Sequence, residues 1–178
     1  MIEIEKQIER TIPRDVFYYQ LTLDIDKKDL QYLKSKIDKG IKEKGNMSGV
    51  TNVKGNMTPW LFFSRDEVFQ KYLKIAFDTF NNQGIRLHVG LKEAWGVRVD
   101  KKQWTAFHDH DPNWLAGILY LSDTDLPIIF KDINVQTKPK VGKFIVWSGY
   151  IHHGNEEKNP YDSKYAIAFN CSEIKTWE

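Results

Sequence analysis

Five histidines occur among the 178 residues, and four of them fall in two tight groups. His108 and His110 lie two apart within 107-FHDHDPNW-114, while His152 and His153 are adjacent further on. Residues two apart on a strand share a face, so His108 and His110 can hold one ligand between them. Of an adjacent pair, one member can face the same interior while the other faces out. Neutral imidazole ligates iron, copper, nickel and zinc alike. An isolated His-Asp-His-Asp run reads equally well as a solvated loop, and the second histidine group tips the reading towards a metal centre. Asp109 and Asp111 have the opposite strand parity and reach such a centre only if the strand bulges. The one cysteine, Cys171, excludes an internal disulfide and a thiolate-rich zinc site, and it fits a reducing compartment.

Two further polar residues stand in apolar surroundings. In 164-KYAIAFN-170, alternation puts bulky Tyr165, Ile167 and Phe169 on one face, and Lys164, Ala166, Ala168 and Asn170 on the other. The second face is small and polar, as if leaving volume for something that is not protein. A lysine there is costly unless an anion pairs with it, although one at a strand end can also snorkel to solvent. Tyr120 lies in the aliphatic run 117-GILYLS-122, where a buried hydroxyl needs a partner. The same carboxylate would serve both, and an ordinary core tyrosine is the simpler alternative.

These residues need a scaffold. The segment 16-VFYYQLTL-23 predicts a strand. From about Asp26 to Gly45, Leu30, Leu33, Ile37 and Ile41 recur at helical spacing. A polar Gly/Asn-rich loop follows over 45–57. Next, 64-SRDE-67 has the form of a capping box, with Ser64 as N-cap, opening a second helix that stops at 81-NNQG-84. Beyond it come 85–99, 103–107, 115–122, 127–132, 143–147 and 164–171, short β-prone runs separated by turn residues. Strands of this kind imply a sandwich or barrel rather than β-α alternation. The helices would cover one sheet from outside and leave the other face for chemistry.

The totals are those of one ordinary globular domain spanning 1–178, with 41% hydrophobic and 13% aromatic residues. A net charge of +2 argues for neither nucleic acid nor an anionic membrane surface. No apolar run approaches the ~20 residues of a membrane helix, and 1-MIEIEKQIERTIPRD-15 has no signal-peptide core. A cytoplasmic location is the expectation.

Taken in order, the parts resemble the 2-oxoglutarate- and Fe(II)-dependent oxygenases, specifically the small prolyl-hydroxylase-like branch of bacteria and phages. There, 108-HDHDPN-113 occupies the place of the family's HxD motif and 119-LYLS-122 that of its Tyr-Leu strand. The turn 146-VWSGYIHHGN-155 is similar to the family's distal-histidine turn, 164-KYAIAFN-170 to its R-x-S-I-A-F-N strand, and 94-AWGVRV-99 to its entry strand. The likeness spans about residues 94 to 172 and rests on order and spacing. It implies a mainly β fold, a double-stranded β-helix (jelly roll, cupin-like) with two helices packed on the larger sheet. It also implies Fe(II) and 2-oxoglutarate as cofactors, O2 as co-reactant, and hydroxylation of a C–H bond in an amino acid, peptide, protein or small metabolite.

Carried over by position, His108 and His153 become iron ligands, with His153 preferred over His152 because it keeps register with Gly154. Tyr120 and Lys164 become the binders of the cosubstrate's far carboxylate. The chain departs from the pattern twice. His110 stands where the family has an acid, giving three histidines, as part of the small branch also has. Lys164 and Ala166 stand for Arg and Ser, which keeps the charge but loses the bidentate fork. The loop 45–57 and 58-TPWLFF-63 are candidates for lid and substrate wall, with Trp104, Trp114 and Asn170 as candidate lining residues. Two alternatives remain open: a three-histidine cupin-type dioxygenase that does not use 2-oxoglutarate, and a non-catalytic jelly-roll binding module.

Overall fold

The computed structural model describes residues 16–44, 46, 53–155 and 157–174. The N-terminal stretch 1–15 and most of the expected loop 45–57 lie outside these. The described chain is mainly β with two helices, and every strand pair is antiparallel. In chain order the elements are β1 (Tyr18–Thr22), α1 (Lys27–Lys44), β2 (Val53–Lys54), β3 (Asn56–Met57), α2 (Glu67–Asn82), β4 (Val89–Val99), β5 (Trp104–Thr105) and β6 (Leu115–Tyr120). They continue with β7 (Ile128–Phe130), β8 (Val135–Thr137), β9 (Lys143–Ser148), β10 (His153–Gly154) and β11 (Lys164–Glu173). Six strands form one sheet in the order β1-β9-β6-β11-β4-β3. Three form a second, β10-β7-β8, and β2 pairs with β5. The end of the expected loop therefore contributes two short strands, β2 and β3; in the second, Asn56 and Met57 pair with Arg98 and Val97 of β4.

The two faces of the large sheet divide the chain's apolar residues. Leu33 and Ile37 of α1 and Phe69, Tyr72, Leu73, Ala76 and Phe80 of α2 pack with Ala94, Leu119, Phe144, Ile167 and Phe169 on one face. Ala116, Tyr120, Ile145, Trp147 and Ala166 look the other way, towards Ile128 and Phe130 of the small sheet. The alternation along β11 is the one its residue types imply. Gly96 lets α1 approach β4, since a Cβ there would lie 2.5 Å from Ile37 Cγ1. Gly117 is tighter still: a Cβ would sit 2.1 Å from Phe169 Cζ. That ring is fully buried and stacked on Phe144 at 5.4 Å, so it has nowhere to go. Gly117→Ala is expected to destabilise the fold by about 1–3 kcal/mol or more, read as a lower urea midpoint at unchanged slope.

The capping box at 64–67 is corrected by the structure. The N-cap of α2 is Asp66, whose side chain accepts from Phe69 N at 2.8 Å. Ser64 Oγ instead accepts from Ala94 N at 3.0 Å, tying the preceding turn to β4. Asp66 prevails because a charged acceptor suits a helix N-terminus better than a hydroxyl does. Its second oxygen also meets Lys36 Nζ at 2.5 Å and Tyr32 OH at 2.8 Å, so one side chain joins both helices. Among the described residues, no helix is long and apolar enough to cross a membrane.

Candidate metal centre and adjoining cavities

The backbone brings the two histidine groups together directly. His108 N donates to His153 O at 3.1 Å, and His153 N donates to His108 O at 2.9 Å, a reciprocal cross-strand pair. His110 N donates to Gly149 O at 2.6 Å, anchoring the next turn of the same loop. Two glycines permit this crowding. A Cβ on Gly149 would stand 1.9 Å from Asn113 O, and one on Gly154 would meet the Ala106 and Phe107 backbone at 3.0 Å. His153 also pairs with Phe130 in the small sheet, so β7 sets its ring direction.

Three imidazoles converge here: the ligand atoms of His108, His110 and His153 all lie within 4.8 Å of one another. His108 Nδ1 is 2.8 Å from Ala106 O and His153 Nδ1 is 3.1 Å from Ile151 O. Donating there fixes the tautomer and leaves the Nε2 lone pairs free. His110 Nε2 faces His153 Nε2 at 3.3 Å. Trp147 packs edge-on to His153 at 4.6 Å, and Trp95 stacks on His110 at 6.1 Å. Burial lowers the pKa of all three histidines, that of His110 to about 3 and that of His153 well below its usual value. For His110 and His153, repulsion from the charged forms of their neighbours acts in the same direction. All three are therefore neutral at pH 7, as a metal ligand must be. The donor set fits a divalent first-row ion with nitrogen preference. His152 takes no part: it is exposed, with its backbone N donating to Asp132 Oδ2 at 2.7 Å and its ring beside Asp132 and Asp109.

An inner cavity of about 60 Å³ lies against the triad, lined among others by Tyr120, Trp147, Lys164, Ala166 and Ala168. Lys164 is 8% exposed, and among the described residues no carboxylate lines this space or pairs with it. Burial alone pushes its pKa down to about 8. Burial likewise raises that of the Tyr120 phenol. The indole nitrogens of Trp95 and Trp147 are buried without an acceptor. A cation and spare donors around an acid-free cavity suit an anion supplied from outside.

A wider cleft of about 560 Å³ shares His108, His110, Trp95 and Val53 with the inner cavity. Trp60 and Leu61, from the segment expected to wall the substrate, line it, as does Asn170. Trp104 and Trp114 line neither space. Trp104 lies on β5, and Lys158 from the loop before β11 reaches over its ring at 5.5 Å. Trp114 packs on Phe17 at 5.0 Å at the rim of the helix-side core, because the chain turns between His110 and β6 and reverses which side faces the site. Glu93, Trp95 and Trp147 were not singled out from the sequence. The parity of Trp95 with Val97 and Val99, and of Trp147 with Ile145, is the signal that places the two tryptophans on the inner side.

No protein-family model matches the chain, and no curated protein matches it by sequence. Its fold, however, is shared with prolyl hydroxylases and other non-haem, α-ketoglutarate-dependent enzymes. The viral collagen prolyl hydroxylase of Paramecium bursaria Chlorella virus-1, solved as its 2-oxoglutarate complex, superposes with a TM-score of 0.65 at 16% identity. That match covers 88% of this chain and 96% of that one. A prolyl-4-hydroxylase of Pseudomonas putida gives 0.65 at 17% identity, covering 89% and 93%. HygX of Streptomyces hygroscopicus, bound to nickel, 2-oxoglutarate and hygromycin B, gives 0.61 at 10%, covering 88% and 83%.

Proposed function

We propose that the protein is a non-haem Fe(II) oxygenase on a double-stranded β-helix, coupling decarboxylation of 2-oxoglutarate to hydroxylation of a C–H bond. The observation that carries this reading is Lys164, a buried ammonium with no carboxylate partner among the described residues, in the cavity that adjoins the three histidines. 2-Oxoglutarate has a metal-chelating keto acid at one end and a carboxylate at the other, so one small molecule answers both needs. A three-histidine dioxygenase without this cosubstrate leaves Lys164 without a purpose.

In this reading His108, His110 and His153 hold the iron, and Lys164 with Tyr120 OH receives the far carboxylate. Bound iron with 2-oxoglutarate and O2 supplies the oxidation. The protein's part is to orient the reactants, and the apolar walls from Val97, Ile118, Ile128 and Ala166 keep water from the cosubstrate. The wide cleft then presents the substrate, between Trp60, Leu61 and Trp95. Its charged lining residues are the acids Glu93, Asp109 and Asp111, with no Lys or Arg among the described lining, which favours a neutral or cationic amino-acid side chain over an anionic one.

Under anaerobic conditions, Fe(II) followed by 2-oxoglutarate should produce the visible charge-transfer band of the chelate. Iron bound without a band would overturn the cosubstrate and favour the three-histidine dioxygenase. No iron bound would leave a binding scaffold.

A further inference from the structure

Two of the three histidines are oriented by backbone carbonyls, through the Nδ1 contacts of His108 to Ala106 O and of His153 to Ile151 O. His110 is held differently. Its Nε2 faces His153, and the Asn170 side chain lies beside the ring in the wall of the wide cleft. Asn170 is 3% exposed and sits opposite Glu93 in the register of β11 with β4. Its Nδ2 donates to Glu93 Oε1 at 2.7 Å. That fixes which end of the amide is oxygen, and Oδ1 is buried with no well-aligned partner. An orphan acceptor next to an imidazole N–H is a hydrogen bond awaiting a small adjustment. Glu93 has no Lys or Arg partner among the described residues, so its charge is not engaged elsewhere.

We infer that Glu93 and Asn170 are positioning residues for His110, orienting its ring through Nδ1 and lending it, through the amide, part of the negative charge that a carboxylate ligand would bring. A hydrogen bond from Nδ1–H to a polarised acceptor raises the basicity of Nε2. Asn170 Oδ1 is polarised because its own amide N–H is bound by a carboxylate. The pair thus offsets the loss of charge that follows from having histidine rather than an acid at position 110. This inference rests on the metal-binding half of the proposed function and is independent of the cosubstrate.

The test is titration with Co(II) under anaerobic conditions, following the ligand-field spectrum, on the native chain and on Glu93→Gln and Asn170→Ala. Glu93→Gln keeps an acceptor for Asn170 Nδ2 and removes only the charge. It should weaken Co(II) binding about 10-fold and shift the spectrum, and Asn170→Ala should weaken it about 10- to 100-fold. The same Glu93→Gln change in a His110→Asp background should have little effect, because the ligand itself then carries the charge. Unchanged Co(II) affinity and spectrum in Glu93→Gln, or an equal effect in the His110→Asp background, would overturn the inference. So would a lowered melting temperature of the metal-free chain as the only consequence of either substitution. Failure of the native chain to bind Co(II) would instead overturn the metal centre on which the inference rests.

Discussion

Lys164→Ala is expected to raise the 2-oxoglutarate concentration for half-saturation by about 30-fold or more, with Fe(II) affinity unchanged. Removing one partner of a buried charge pair costs about 2 kcal/mol or more, and about 1.4 kcal/mol is tenfold in affinity. Anaerobic titration of the chelate band measures it; an unchanged half-saturation point would remove Lys164 from the site. The pH dependence has a definite sign. With the cavity empty, burial holds Lys164 at a pKa of about 8, so at pH 7 it is charged and ready for an anion. Cosubstrate affinity should fall as pH rises through 8, and binding above that pH should take up a proton. Folding responds in the opposite sense. The folded pKa lies below the unfolded value, so keeping Lys164 protonated costs stability below about pH 8, and that cost fades as pH rises towards 10.5. Lys164→Met should accordingly stabilise the cosubstrate-free chain at pH 7, by something of the order of 3 kcal/mol, while abolishing tight binding. Urea unfolding at about pH 7 and about pH 10 reads the difference, which should shrink at the higher pH.

His153→Ala is expected to weaken Fe(II) binding by about 100-fold or more. A structural zinc site gains about 10–16 kcal/mol from four ligands, or about 3 kcal/mol for each, which corresponds to about two orders of magnitude. His153 is 4% exposed and central to the triad, with the rings of His108 and His110 at 4.4 and 5.0 Å. His152→Ala, one residue away, should change affinity by less than about twofold, because its ring faces Asp132 and Asp109 outside the cluster. Equal losses from the two substitutions would contradict the assignment. His110→Asp provides the complementary test: it should retain iron and move the chelate band, since a charged oxygen replaces a neutral nitrogen.

Strand alternation made much of this site legible. Lys164, Ala166 and Ala168 face the inner cavity, and Ile167 and Phe169 face the helices, because a period of two leaves no other arrangement in a paired strand. The grouping of His108, His110 and His153 is the one that the family resemblance implied, and the β10 pairing places His153, not His152, in the cluster. Adjacency in sequence was the poorer guide. Trp114 stands beside the His-Asp-His run yet packs against the helix-side core, and Trp104 of β5 lines neither space, while its strand neighbour Thr105 lines the inner cavity. The capping-box pattern pointed to Ser64, whereas Asp66 brings a charged acceptor to the helix N-terminus and also reaches Lys36 of α1, some 30 residues away. The Glu93–Asn170 bond joins positions 77 residues apart, and no local pattern announces it.

His108 and His153 exchange main-chain hydrogen bonds with each other, and that pairing owes nothing to what their side chains hold. The imidazoles proposed as ligands therefore sit on a rack built by the polypeptide itself, unlike the zinc-dependent miniature folds that collapse when stripped. A chelator should empty this site without melting the chain, and an ion offered afterwards should enter without a refolding delay. On the proposed reading, loading would be a matter of mass action at a finished socket, and the chain would pass through metal-poor conditions folded and ready for the ion's return.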